Sequence, residues 1–353
     1  MKTNLDDPLT YKKLDPSNMA EHLRRLPEEC QKAWKNGCEF YLPPDYSEIN
    51  RVIISGMGGS AIGGELTRVL LEPRGVPLWV SQDYQPPPFF DSHTLFIASS
   101  YSGMTEETLS SFTKALDTPA KKLVITTGGK LRTLAKEKNI PAFVYDYKAP
   151  PRAALAYGLF PLLGIFQRLG LLGDLSSDIN EMVAVMDRLQ SSIDEKVVLS
   201  SNPAKELASK LVGRMAVIYG AGIFAPVARR WKTQLNENSK AWSFVEILPE
   251  LNHNAVVGYE YPRETTEKAF VILLCAPSLH ERILLRYQIT TELLTRSGVN
   301  YQVIDAEGDK PLSQMMSLVM LGDYVSYYLA LLYGIDPSPV KVIDYLKAKL
   351  RSK

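Results

Sequence analysis

The sequence predicts an α/β protein built as two similar domains in tandem, each a parallel sheet flanked by helices on both faces, a doubly wound αβα sandwich. Between residues 50 and 147, short apolar runs alternate with helical stretches, the pattern of a parallel sheet covered on both sides. The succession then recurs: an apolar run at 215–219 ends in Gly220-Ala221-Gly222 and a helical pattern follows. A chain of 353 residues accommodates two domains of roughly 150 residues each. We expect a helical arm over 1–45, a first domain with linker helices over 46–196, and a second domain with C-terminal helices over 197–353.

In the arm, Asp15-Pro16-Ser17 offers a helix start, and Met19, His22, Leu23 and Leu26 follow at helical spacing. A second helical piece at 28–41 ends at Pro43-Pro44. First-domain strands are expected at 51–55, 77–82, 94–99, 122–126 and 142–145, with helices at 61–71, 105–116 and 130–138. Helical stretches follow at 153–170, almost wholly apolar, and at 176–196. In the second domain, strands are expected at 215–219, 241–246, 268–275 and 299–304, with a helix at 225–236. An apolar helix at 313–333 and a short amphipathic one at 344–350 end the chain.

Composition narrows the function. Lys+Arg 40 against Asp+Glu 39 gives net charge +1, so no nucleic-acid surface and no polybasic membrane patch is expected. No apolar run is read as approaching the ~18 residues that span a bilayer. The start, M-K-T-N-L-D-D-P-L-T, lacks the apolar core of a secretory signal. Cys30, Cys38 and Cys275 are an odd, widely spaced set, fitting reduced thiols in a cytoplasmic protein. The four histidines are scattered, with no H-x-x-x-H or C-x-x-C, so no metal site of sequence-local ligands is expected.

The stretch R-V-I-I-S-G-M-G-G-S-A-I-G-G-E at 51–65 reads as strand, tight turn and helix N-terminus. Such a turn brings backbone N–H groups to an anion, and the helix dipole favours the charge. Gly56-x-Gly58-x-x-Ala61 satisfies the dinucleotide fingerprint, and Asp83 stands where a ribose-binding acid belongs. Gly220-x-Gly222-x-x-Ala225 satisfies it again, and two dinucleotide sites would be odd in a chain of this size. Glycines that merely allow strand and helix to pack closely are the plainer alternative.

The third strand tilts the balance. It runs into Ser99-Ser100-Tyr101-Ser102-Gly103-Met104-Thr105, a hydroxyl-rich turn opening a helix. Hydroxyls with free helix N–H groups make a neutral cradle for a phosphate monoester. A plain helix cap needs one hydroxyl, and Ser100, Ser102 and Thr105 exceed it. A dinucleotide fold has no use for this second cradle.

G-M-G-G-S-A at 56–61, S-S-Y-S-G-M-T-E-E-T at 99–108 and I-T-T-G-G at 125–129 resemble the sugar isomerase (SIS) domain. A-P-P-R-A-A-L at 149–155, L-N-E-N-S-K at 235–240, E-I-L-P-E-L-N-H-N at 246–254 and I-D-Y-L-K at 343–347 resemble the bifunctional phosphoglucose/phosphomannose isomerases. The resemblance runs in order from about residue 50 to 350. It implies two tandem SIS domains and a homodimer. The implied activity interconverts glucose 6-phosphate or mannose 6-phosphate with fructose 6-phosphate, without metal or other cofactor.

Such an isomerisation needs ring opening, a base that carries a proton between C2 and C1 of a cis-enediol, stabilisation of the enediol oxygens, and a grip on the phosphate. The resemblance puts the base at Glu237, a carboxylate being suited to the task when partly buried. His253 between Asn252 and Asn254 is implied for ring opening, its near-neutral titration suiting it, and is expected to come from the other subunit. Lys347 is the implied second ring-opening group. Arg152 is expected to neutralise the enediolate. Gly59 and Ser60 are expected to touch the sugar, and Ser100, Ser102 and Thr105 to hold the phosphate. Rival readings are a non-catalytic sugar-phosphate-binding SIS protein, needing neither Glu237 nor His253, and an NAD(P)-dependent enzyme using 56–61 and Asp83. Glutamine-dependent aminosugar synthesis would need an N-terminal nucleophilic cysteine, and this chain begins Met1-Lys2-Thr3.

Overall fold

A computed structural model describes residues 3–352. In chain order the elements are α1 (Pro8–Leu14), α2 (Met19–Arg24), α3 (Leu26–Glu39), β1 (Arg51–Ser55), α4 (Gly59–Leu71), β2 (Leu78–Ser81), β3 (Thr94–Ser100), α5 (Glu106–Ala115), β4 (Lys121–Thr126), α6 (Gly129–Glu137), β5 (Ala142–Val144), α7 (Leu155–Arg168) and α8 (Ser176–Ile193). Then follow α9 (Pro203–Leu211), β6 (Met215–Ala221), α10 (Ala225–Glu237), β7 (Ser243–Leu248), α11 (Arg263–Lys268), β8 (Ala269–Cys275), α12 (Glu281–Arg296), β9 (Asn300–Asp305), α13 (Pro311–Leu332) and α14 (Lys341–Arg351). Short 3-10 turns lie between some of them, of which Pro151–Ala154, Gly222–Phe224 and Glu250–His253 matter below.

Two compact units result. One comprises Arg25–Asp187 and Glu307–Met316; the other comprises the chain through Arg24, Arg188–Ala306 and the chain from Ser317 onward. The division at Arg24 and Arg25 falls inside the stretch read as one arm. Its first part is tied to the second-sheet unit. The buried Lys205 ammonium donates to the Leu5 carbonyl at 2.7 Å, and the Tyr327 hydroxyl donates to Asp15 Oδ2 at 3.1 Å. The later part, α3, packs on α7 in the first-sheet unit. A Cβ on Gly37 would lie 2.6 Å from the Pro161 oxygen, and one on Gly164 2.5 Å from the Trp34 oxygen. Glycine on each helix lets the two backbones meet.

The first sheet has the order β2-β1-β3-β4-β5, every pair parallel. The chain moves from β1 outward to β2, then returns to the other side of β1 for β3. Its central strand β3 is buried at all seven positions. One face packs Phe96, Ala98 and Val124 with Phe112 and Ala115 of α5 and Leu131 and Ala135 of α6. The second sheet, β7-β6-β8-β9, is also parallel and reverses in the same way between β6 and β8. Its cluster joins Tyr219, Leu248, Val271 and Leu273 with Tyr287 and Leu294 of α12. Both sheets are flanked by helices, as the alternating pattern requires.

Several details differ from the sequence reading. The strand expected at 241–246 is Ser243–Leu248, because the chain leaves α10 through buried Asn238 and Ser239 before it extends. Helix α9 was not anticipated, although Asn202 caps it, accepting from the N–H groups of Ala204 and Lys205, with Pro203 in the first turn. Helix α12 was not anticipated either, although Ile283, Leu284, Tyr287, Leu293 and Leu294 line one face at helical spacing against the second-sheet cluster. The 153–170 stretch divides into the 3-10 turn Pro151–Ala154 and helix α7, which tolerates an internal Pro161.

One expectation needs correction. Among the described residues, α13 is long and apolar enough to cross a membrane by length and composition, but 89% of that window is buried inside the protein. It carries Asp323, which pairs with the guanidinium of Arg230, so its apolar character serves the core.

Candidate active site

In the first-sheet unit the reversal of strand order lies between β1 and β3. Ligands in open α/β sheets bind outside the carboxyl ends of strands at such a reversal. Two turns leave the sheet there. After β1 come Ser55, Gly56, Met57 and Gly58, and α4 begins at Gly59. After β3 comes the hydroxyl turn. They touch: a Cβ on Gly56 would stand 2.9 Å from the Ser99 oxygen. Gly58 has φ +53° and open space where a Cβ would be, so the start of α4 is uncovered on that side.

The hydroxyl turn is held from behind. Gly103 sits so close to the turn after β4 that a Cβ would meet the Gly128 oxygen at 1.8 Å; one on Gly129 would meet the Ser102 oxygen at 2.3 Å. Thr127 donates to the Tyr101 carbonyl from both its N–H, at 3.1 Å, and its hydroxyl, at 2.7 Å. Ser100 is buried, and its Oγ lies 2.8 Å from Thr105 Oγ1 and accepts from Gly103 N at 3.1 Å. Ser102 is exposed and accepts from Met104 N at 3.2 Å. Thr105 occupies the N-cap position of α5 but makes no side-chain cap bond, its hydroxyl facing Ser100 instead. The plain-cap reading of this turn therefore fails, and the first N–H groups of α5 are left for another acceptor.

The same unit brings Arg152 to the glycine turn. Gly59 approaches the Pro151–Ala154 turn closely enough that a Cβ would lie 3.2 Å from the Pro151 oxygen and 3.8 Å from the Arg152 Cα. Arg152 is buried. The turn that carries Gly59 and Ser60 thus lies beside the hydroxyl turn of Ser100, Ser102 and Thr105 on one side and beside the segment of Arg152 on the other, within the first-sheet unit. Sequence reasoning assigns no role to Tyr101, Thr127 and Gly128, which hold the hydroxyl turn in place.

In the second-sheet unit, Glu237 is the last residue of α10 and half-buried. Its position is rigidly set. Arg230 Nε and Nη2 donate to Asp323 Oδ1 and Oδ2 at 3.1 and 2.6 Å, and Gln234 donates to Asp323 Oδ1 at 2.9 Å. Asn238 donates to the Ser326 hydroxyl at 2.9 Å and Ser239 to the Ser326 carbonyl at 2.6 Å. All of these side chains are buried, so the end of α10 is pinned to α13 on either side of the carboxylate.

His253 is exposed, ending the Glu250–His253 turn beyond β7. Its neighbour Asn252 donates to Thr290 at 2.9 Å and accepts from Arg286 at 3.3 Å, fastening the turn to α12. Lys347 lies on α14, exposed like every residue from Lys341 to Leu350.

Glu237 and His253 do not meet within one chain. Helix α10 starts at the carboxyl edge of the second sheet and, over thirteen residues, carries Glu237 to the opposite edge, roughly 20 Å away. Strand β7 then returns the chain to the carboxyl edge and to His253.

The second glycine turn differs from the first at its second glycine, where a Cβ on Gly222 would meet Leu279 Cδ2 at 3.4 Å. A Cβ on Gly220 would meet the Phe224 oxygen at 2.5 Å and the Ala228 Cβ at 2.9 Å, and Phe224 is buried in front of α10. Here the glycine serves strand–helix packing. Asp83 lies exposed beyond β2, its carboxylate accepting from the N–H of Tyr84 at 2.6 Å.

Comparison with known proteins agrees with this architecture. The family described as "Bacterial phospho-glucose isomerase C-terminal SIS domain" matches residues 200–350. The chain is 43% identical over 336 residues to a bifunctional phosphoglucose/phosphomannose isomerase of Caldicellulosiruptor bescii, covering 94% of this chain and 98% of that one. It is 36% identical over 309 residues to the protein of the same description from Aquifex aeolicus, covering 87% and 92%. The solved structure of a hypothetical protein from Thermus thermophilus superposes with a TM-score of 0.75 at 16% identity, covering 98% of this chain and 92% of that one, a likeness of fold.

Proposed function

The chain belongs to the bifunctional phosphoglucose/phosphomannose isomerases, and on that premise we propose that it interconverts glucose 6-phosphate and mannose 6-phosphate with fructose 6-phosphate through a cis-enediol. The observation that carries this reading in the molecule itself is the meeting of the glycine turn and the hydroxyl turn where the strand order reverses between β1 and β3. It offers a cluster of hydroxyl groups of which Ser100 is buried, two helix N-termini and a buried arginine alongside, the requirements of a phosphorylated substrate that becomes an enediolate.

In this reading Ser100, Ser102, Thr105 and the first N–H groups of α5 hold the phosphate. Ser100 and Thr105, which bond to each other in the free protein, turn their protons to the phosphate oxygens. Gly59 and Ser60 bind the sugar. Glu237 takes the proton from C2 of the open-chain aldose and returns it to C1, while Arg152 balances the charge on the enediolate oxygens. His253 and Lys347 serve ring opening. Glucose and mannose 6-phosphates differ only at C2, and that stereocentre is lost in the enediol. Protonation at C2 from either face, after rotation about C2–C3, then yields either epimer.

The separation of Glu237 from His253 across the second sheet supports a homodimer, with each site completed by the His253 of a second copy. Three free cysteines, two of them buried, support a reducing compartment such as the cytoplasm.

The test is a coupled assay on both aldose phosphates with EDTA present. Formation of fructose 6-phosphate from each is expected. Folded protein that binds hexose phosphate but turns over neither epimer would overturn the reading in favour of a sugar-phosphate sensor.

A further inference from the structure

Between the end of β5 at Val144 and the turn that begins at Pro151, the chain runs through six residues without helix or strand. This connector delivers Arg152. Its backbone is fastened to the hydroxyl turn by one side chain. The Tyr101 hydroxyl donates to the Tyr147 carbonyl at 2.8 Å and accepts from the Ala149 N–H at 3.0 Å. The ring of Tyr101 packs edge-on against Tyr145, centroids 6.3 Å apart, and Tyr145 stacks on Tyr157 of α7 at 4.6 Å. At its other end the Tyr101 backbone sits between Ser100 and Ser102 and is gripped by Thr127.

Tyr101 therefore spans from the proposed phosphate turn to the segment that presents Arg152. We propose that Tyr101 is a positioning residue for the isomerisation: its hydroxyl fixes the distance between the turn that holds the substrate phosphate and the guanidinium that stabilises the enediolate. The phosphate sets where the reacting carbons lie, so the guanidinium must be held at a constant offset from it. A hydroxyl that donates to one backbone group and accepts from another two residues on permits little sliding of the connector. The inference rests on the role given to Arg152 above.

The experiment compares Tyr101→Phe, Arg152→Gln and the double variant by kcat, KM and thermal midpoint. Tyr101→Phe keeps the ring and the Thr127 grip and removes both connector bonds. It should lower kcat roughly ten- to hundredfold, as loss of orientation does. KM should stay within about twofold and the thermal midpoint within a few degrees. In the Arg152→Gln background the same change should have little further effect, because a residue acting through another is not additive with it. An unchanged kcat in Tyr101→Phe, with Arg152→Gln slow, would overturn the inference alone. So would equal losses from Tyr101→Phe in both backgrounds, or a large rise in KM with a collapse in thermal midpoint, which mark independent or structural roles. A wild-type rate in Arg152→Gln would overturn the role of Arg152 itself and the inference with it.

Discussion

A Cβ placed on Gly63 would stand 2.2 Å from the carbonyl oxygen of Gly158. Helices α4 and α7 therefore touch backbone to backbone, and Gly158 in turn faces the Gly59 oxygen. This contact draws the start of α4 and its glycine turn against the segment that carries Arg152. An alanine at Gly63 would force the helices apart. Gly63→Ala should destabilise the protein by about 1–3 kcal/mol, the usual cost of overpacking, and should lower kcat as well. A wild-type thermal midpoint would show that the contact has slack.

The hydroxyl turn separates two serines by burial. Ser100 is buried and bonded to Thr105 and Gly103, whereas Ser102 is exposed. Loss of a hydrogen bond to a charged phosphate costs roughly 1.5–3 kcal/mol. Ser100→Ala should therefore raise KM for both hexose phosphates about ten- to hundredfold, and Ser102→Ala should raise it less. Steady-state kinetics check the order; equal small effects would remove the turn from phosphate binding.

Glu237 stands at the end of a helix whose neighbours Asn238 and Ser239 are tied to Ser326. The backbone should therefore keep its position when the carboxylate is neutralised. Glu237→Gln should lower kcat by about 10²–10⁴, the range of a lost proton carrier. Substrate binding, measured directly, should stay within about tenfold. Near-normal turnover would assign the proton transfer to another group.

Glu181 predicts an acid limb of stability. Burial alone would push its carboxyl up, but the N–H groups of Lys310 and Asp309, at 3.1 and 2.8 Å, together with the Ser313 hydroxyl and the Lys310 charge outweigh this and hold it below its usual range. A carboxyl lowered in the fold stabilises above its ordinary titration range, and that contribution is lost as pH falls through the lowered value. Glu181→Gln should melt earlier than wild type at pH 7. The gap should close under acid conditions. Parallel melting curves over the pH range check this; a constant gap would point to packing rather than charge.

Much of the fold follows from local pattern. The central strands of the first sheet, β1, β3 and β4, were legible because burial on both faces writes apolar runs directly into the sequence. Helix α12 had an apolar pattern too, in Ile283, Leu284, Tyr287 and Leu294, and went unread. Helix α9 announced itself in Asn202-Pro203, a cap signal passed over. Of the site, the hydroxyl turn was legible as an excess of Ser and Thr beyond what a cap uses. Tyr101 was not, since a tyrosine inside a loop acquires its role from the backbone groups it happens to reach.

By itself, then, the sequence determined two parallel-sheet units, the hydroxyl-rich turn after the third strand and the family. Tertiary structure decided the rest. The glycine fingerprint occurs twice with the same spacing, yet at its second glycine Gly58 opens on empty space while Gly222 has Leu279 at 3.4 Å from where a Cβ would be. Arg152 reaches Gly59 because glycines let α4 and α7 close on each other. Glu237 and His253 lie sixteen positions apart in the chain, yet a helix and a strand send them to opposite edges of one sheet. The reason is common to all three. Periodicity reports which way each residue faces along its own element, whereas proximity depends on strand order and on crossovers, which no local spacing encodes.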